Sequence, residues 1–219
     1  MAEREVPVFP LPLVLYPGMT LPLHIFEERY KQLVADVDGV GGVFGIVLVE
    51  ADDDDAESAR LHTVGTLARI TELAPLPDGR FQLVVQGEQR VLLLDWSGDR
   101  PYATAHVNVL DEVSGSEILA GLVRARFTDY IAALFELVRM EAPNLPEQAT
   151  PQELSYWVAG VMQLPLPEKQ FLLRCQSTDE RLASLLQLLS RETKRVTDFT
   201  AEAHQQGKRF IGGVPFSVN

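Results

Sequence analysis

The sequence predicts an α+β chain, with a β-rich first half folding as a compact, partly closed barrel and a helical bundle after it. Three observations carry that expectation. Short apolar runs punctuated by proline and glycine fill the first half. A long stripe of apolar residues at helical spacing opens the second. The charge also changes character, with 8 basic and 19 acidic groups in residues 1–112 against 11 and 12 in 113–219. The expected parts are a β-rich barrel over 1–112, a helical bundle over 113–206 and an apolar tail over 207–219.

Val6-Pro7-Val8-Phe9-Pro10-Leu11 reads as an extended opening, because its prolines exclude a helix interior. Tyr16-Pro17-Gly18-Met19 is a turn signal, with proline pre-setting the bend and glycine free to take a positive φ. Leu21 to Ile25 continues extended. Glu27 to Val37 then suits a short helix, with Phe26, Tyr30, Leu33, Val34 and Val37 on its apolar side. Val43 to Val49 is β-branched enough for a strand buried on both faces. After an acidic loop, His62 to Leu76 reads as a strand with a bend at Gly65. Pro77-Asp78-Gly79 turns the chain into Phe81 to Val85, and Gly87 marks a bulge before Val91 to Leu94. Tyr102 to Leu110 supplies a last strand, with Ala103, Ala105, Val107 and Val109 on one face.

Leu119 to Met140 carries the helical stripe, and Pro143 and Pro146 end it. Thr150-Pro151-Gln152-Glu153 reads as a capping box opening a helix to about Gln163. Pro167 starts a short helix through Phe171, Leu172 and Cys175. Ser177-Thr178-Asp179-Glu180 opens a last helix that runs to about Gln206.

Composition removes several function classes. The 219 residues carry a net charge of −12, which repels phosphate backbones, and no cluster of Lys and Arg offsets it. The longest apolar stretch, Val40 to Val49, falls far short of the roughly 20 residues that span a bilayer. The N-terminus lacks the pattern of a signal peptide. Cys175 is the only cysteine, so the chain holds no internal disulfide and no cysteine-rich zinc site. A soluble cytoplasmic protein without nucleic-acid or membrane partners is the expectation.

Catalytic signatures are missing too. There is no P-loop and no nucleophile elbow. Gly39-Val40-Gly41-Gly42-Val43-Phe44-Gly45 precedes a strand rather than a helix, so no helix N-terminus would face a pyrophosphate, and it reads as a turn. His24, His62, His106 and His204 stand too far apart for local metal ligation. Cys175 lies on an apolar stripe and reads as a small core residue. Asp52 to Asp55, flanked by Glu50 and Glu57, lacks the alternation and glycine of a calcium loop and reads as a solvated, mobile segment. No catalytic residue, metal or cofactor is expected.

The motifs together resemble one family. Pro7-Val8-Phe9-Pro10-Leu11, Tyr16-Pro17-Gly18-Met19 and Leu21-Pro22-Leu23-His24-Ile25-Phe26-Glu27-Glu28-Arg29-Tyr30 are similar to the opening of the Lon protease N-terminal, substrate-binding domain. Val64-Gly65-Thr66-Leu67-Ala68, Gly87-Glu88-Gln89-Arg90-Val91, Leu166-Pro167-Glu168-Lys169-Gln170-Phe171-Leu172-Leu173 and Arg181-Leu182 follow in the same order. The resemblance implies a PUA-like barrel followed by helices. It also implies a stand-alone member, because no ATPase or peptidase module follows. Most of these motifs explain themselves structurally: the glycines permit turns or bulges, and Arg90 can pair with an acidic neighbour.

The leading functional expectation is a non-catalytic module that binds unfolded polypeptide segments or a protein partner. Its candidate surface comprises Tyr16, Met19, Phe26, Tyr30 and Tyr102, joined by Phe210 and Phe216 if the tail folds back. Two alternatives stay open: an RNA-binding PUA-like module, which the acidic barrel half disfavours, and a small-molecule-binding protein or enzyme whose site converges only in space.

Overall fold

The computed structural model describes residues 4–50, 60–138 and 148–205. The acidic run Asp52 to Asp55, Pro143, Pro146 and the tail residues Phe210, Ile211, Val214 and Phe216 lie outside the described residues. Seven strands and five helices follow one another: β1 (Arg4–Leu11), β2 (Thr20–Ile25), α1 (Glu28–Asp36), β3 (Val43–Glu50), β4 (Arg60–Leu61), β5 (Val64–Pro75), β6 (Phe81–Ser97), β7 (Ala103–Val109), α2 (Glu117–Val138), α3 (Pro151–Val161), α4 (Leu166–Arg174) and α5 (Thr178–Gln205).

Two compact units result. One comprises Met1–Val113 with Ala159–Gln176, the other Ser114–Val158 with Ser177–Asn219. Residues 159–176, placed by the sequence among the helices, thus group with the strands.

In the first unit the sheet runs β1-β7-β6-β5-β3-β4, and a parallel pairing of β1 with β3 closes five of these strands into a ring. Strand alternation puts one residue set inside the ring. Val6, Val8, Val47, Leu67, Val91, Ala105 and Val107 meet there, contributed by all five strands. Most are small and β-branched, which suits the narrow interior of a small barrel. Burying each such valine or leucine is worth about 1.5–3 kcal/mol. The face of β7 carrying Ala103, Ala105, Val107 and Val109 is the one the alternation predicts.

The outward face carries a second core. Phe9, Phe44, Ile46, Ala68, Ile70, Leu83 and Val85 pack with Ile25 of β2 and with Tyr30, Leu33 and Val34 of α1. Phe26 does not join the helical stripe. Glu27 caps the helix in an extended conformation (φ −76°, ψ 136°), which leaves Phe26 before the first turn and 60% exposed.

Three irregularities differ from the expected strands. Phe81–Val85 and Val91–Leu94 belong to one strand of 17 residues, whose bulges keep the ladder intact. Gly65 sits within unbroken pairing rather than at a bend. Its need for glycine is spatial, since a Cβ there would lie 2.6 Å from the Ile46 carbonyl oxygen. The two-residue β4 is a pairing the sequence did not suggest.

Segment 159–176 is tied to the strands by directed bonds. Tyr16 donates its hydroxyl to the Lys169 carbonyl (2.8 Å), and Gln170 Nε2 donates to the Val64 carbonyl (2.8 Å). Arg90, on β6, donates to the carbonyls of Leu173 (2.8 Å) and Cys175 (2.5 Å) and pairs with Glu112, the acidic neighbour the sequence anticipates.

The second unit packs α2 against α5. Ala120, Val123, Phe127, Tyr130 and Ile131 of α2 and Leu182, Leu185 and Leu189 of α5 are buried at spacings of three and four. The Thr150–Glu153 capping box forms: the Thr150 N–H donates to Glu153 Oε2 (2.9 Å), and the Glu153 N–H donates to Thr150 Oγ1 (3.3 Å). Arg181 lies over the Tyr156 ring at 3.8 Å and donates to Ser155 Oγ at 2.8 Å.

Candidate functional site

Strands β5 and β6 outrun the ring. The β3–β5 pairing ends at Val43 with Arg69, and β5 continues to Pro75. Leu76-Pro77-Asp78-Gly79 then turns the chain, with Gly79 at φ 78°. On the far side of β6, β2 replaces β7 as the neighbour, from Thr20 opposite Gln86 to Ile25 opposite Phe81. A three-stranded platform, β2–β6–β5, therefore projects from the barrel.

Tyr16-Pro17-Gly18-Met19 positions β2. The Met19 N–H donates to the Tyr16 carbonyl (3.2 Å), and Gly18 takes φ 82°, the geometry of a type II turn with glycine at its third position. Gly18 N–H donates to the Gly87 carbonyl and Gly87 N–H to the Met19 carbonyl, both at 2.8 Å. Two residues thus face one across the ladder, a glycine bulge that locks the register of β2 on β6.

That register decides which residues meet water. Leu21, Leu23, Leu73, Leu83 and Val85 turn towards the core under α1. The other face carries the rows Pro22–Val84–Glu72 and His24–Gln82–Ala74. These rows line an open groove of about 520 Å³, within the size range of small-molecule clefts. Phe26 continues the β2 side of this face, its ring 6.1 Å from that of His24.

The expected surface residues separate into two groups. Tyr16, Tyr30 and Tyr102 are buried at 0%, 8% and 2% exposure, so their bulk fills the core instead of offering a surface. Tyr30 stacks on Phe9 at 4.1 Å, and burial pushes its phenol up despite the nearby Arg29 guanidinium. Tyr102 donates to Asp36 Oδ2 (2.5 Å) and accepts from Arg100 (3.1 Å). Burial first, and that bond to Asp36 second, raise its pKa. Met19 is half-buried against the outer core, its sulfur lying where a side chain at Gly160 would stand. Phe26 alone among the described members is strongly exposed. Pro22, Glu72, Ala74, Gln82 and Val84 were missed. The signal that could have found them is the alternation Phe81-Gln82-Leu83-Val84-Val85-Gln86, which marks a one-sided strand.

Electrostatically the groove has one permanent charge. Along β5 and β6, Arg69 pairs with Glu88, Arg90 with Glu112, and Asp95 with His106, while Arg80 pairs with Asp78 in the turn. Glu72 is the charged side chain of this hairpin that has no ion pair among the described residues. His24 is the groove's histidine, whereas His106 lies 2.9 Å from Asp95, whose carboxyl it holds below the usual range. Among the described residues, no group of three or more His, Cys, Asp and Glu could hold a metal ion. No described helix is long and apolar enough to cross a membrane.

Known proteins share this fold. A Lon N-terminal domain protein from Xanthomonas campestris superposes with a TM-score of 0.62 at 22% identity, over 84% of this chain and 97% of that one. The N-terminal domain of the Mycobacterium avium complex Lon protease gives 0.60 at 19%, over 85% and 98%. In sequence, Lon protease from Flavobacterium johnsoniae is 28% identical over 205 residues, 88% of this chain and 24% of that protein. Lon protease from Escherichia coli K12 is 29% identical over 198 residues, 87% and 25% respectively. The chain thus spans about a quarter of the length of these curated relatives. Residues 5–191 match the model of the ATP-dependent protease La (LON) substrate-binding domain, and to that family the chain belongs.

Proposed function

We propose that the chain is a non-catalytic module that binds exposed polypeptide segments on the β2–β6–β5 face. The open groove carries this reading: it combines the apolar surface of Pro22, Ala74 and Val84 with the ring of Phe26 beside it. Family membership and the relatives' identity as Lon proteases support a polypeptide ligand. Residence in the cytoplasm is part of the same proposal.

The ligand crosses the face instead of extending the sheet. The Met19–Gly87 bond sets the alternation, so Leu21, Leu23 and Ile25 bond to β6, while Thr20, Pro22 and His24 direct their main chain to the open edge. Pro22 has no N–H to offer there, and proline blunts an edge strand.

The test is fluorescence anisotropy with labelled segments of unfolded proteins. Saturable micromolar binding is expected. Val84→Asp, which puts a charge in the groove, should weaken it about tenfold, and Phe26→Ser about fivefold. Absence of saturable binding up to high micromolar concentration overturns the proposal.

A further inference from the structure

Resting on that reading of the groove, the geometry points to a preference for segments that combine apolar side chains with a lysine or arginine, seated on Glu72. The observation is the charge pattern of the β5–β6 hairpin. Each of its other described charged side chains has a partner: Arg69 pairs with Glu88, Arg80 with Asp78 and Arg90 with Glu112, while Asp95 is hydrogen-bonded to His106. Glu72 stands outside this pairing, in the lining of the groove.

Its position suits a bound cation. Glu72 shares a row with Val84 and Pro22, so its carboxylate borders apolar surface on the groove side. A lysine or arginine can lay its methylene stem over Val84 and Pro22 while its charged head meets the carboxylate. The nearest basic residue on the same face of β5, Arg69, cannot neutralise Glu72 from within. Its Nε and Nη2 engage Glu88 and its Nη1 donates to the Gly41 carbonyl at 2.8 Å. The other polar groups of the lining, His24 and Gln82, bring no permanent charge of either sign. An acidic ligand would instead meet Glu72 with like charge and no compensating cation. The chain's charge of −12 attracts any basic peptide at long range, so a test must separate this local contact from the general field.

Three labelled ten-residue peptides supply the probes, each alternating leucine and phenylalanine with serine, and carrying lysine, norleucine or glutamate at its centre. The full chain should bind the lysine peptide roughly three- to fivefold more tightly than the norleucine peptide at low salt, the scale of a partly exposed ion pair. Glutamate should be the weakest, and the spread should shrink as salt is raised. Glu72→Gln should remove most of the lysine-to-norleucine ratio, leaving only the salt-sensitive remainder that the general charge supplies. Asp95→Asn, which removes a carboxylate of the same hairpin outside the groove, should leave that ratio unchanged. Equal affinity of the parent chain for all three peptides, or an unchanged ratio in Glu72→Gln, overturns the cation preference and leaves the groove reading standing. A ratio lowered equally by Asp95→Asn also overturns it, by assigning the preference to net charge. Failure of every peptide to bind overturns the groove reading itself.

Discussion

A guanidinium taken out of water must replace its lost hydration donor by donor, and Arg90 does so at 2% exposure. Its partners are the Glu112 carboxylate and the carbonyls of Leu173 and Cys175. Removing it would take the buried cation from a part-buried carboxylate and a donor from two carbonyls. Arg90→Ala is expected to cost about 3–5 kcal/mol, read as a lowered urea midpoint. Arg90→Met with Glu112→Gln should recover part of that loss, because no unpaired charge then remains. Glycine at 65 makes a second demand of this kind. Gly65→Ala must move the Ile46 carbonyl, 2.6 Å from the new methyl, at a cost of about 1–3 kcal/mol. Arginine at 90 and glycine at 65 are visible in the sequence. Which residues they touch is not, because the partners are distant in sequence: Ile46 on β3, Glu112 after β7, Leu173 on α4 and Cys175 just past it.

Among the elements, those fixed by local chemistry were the legible ones. Pro151, Pro167 and the capping residues placed the starts of α3, α4 and α5 to within a residue or so. The α3 box yields a pH-dependent prediction. Glu153 is held below the usual carboxylate range first by the Thr150 N–H and then by the Thr150 hydroxyl. A lowered folded-state pKa stabilises above the unfolded value, and that contribution fades as pH falls through the folded one. Thr150→Ala should therefore cost about 1 kcal/mol at neutral pH, and the difference in urea midpoint should narrow at acid pH. Pro22 yields another. Pro22→Val restores an outward N–H to the open edge of β2, so the variant should self-associate with concentration more strongly than the parent, as sedimentation velocity would show. The parallel β1–β3 pairing and the continuity of β6 were not legible. The first joins segments far apart in sequence, and the second depends on bulges that let glycine-marked breaks stay in register.

For the whole molecule, the charge break near residue 112 marks where strands give way to helices and falls at the first boundary between the compact units, Val113 and Ser114, but it does not foretell the second. Residues 159–176 return to the strands. A fragment of residues 1–113 would lack the acceptors for Tyr16 and Arg90 and the donor to Val64. It should unfold at lower urea than the intact chain, or without a cooperative transition, when followed by Trp96 fluorescence. An unchanged midpoint would show that the added segment contributes little. The groove escaped sequence reading for a related reason: its rows draw one residue from each of three strands, and aromatic content pointed to tyrosines that the core consumes. The same long-range bonds also impose a timetable. Leu173 follows Arg90 by 83 positions, and at about 5–20 residues per second a ribosome needs roughly 4–17 s to reach it. The strand ring can close while the nascent chain is still short, with Glu112 as the early companion of Arg90. Its remaining acceptors arrive later, so α4 is fastened only after the ring can close, and synthesis that stalls before residue 173 leaves a barrel with its latch undone.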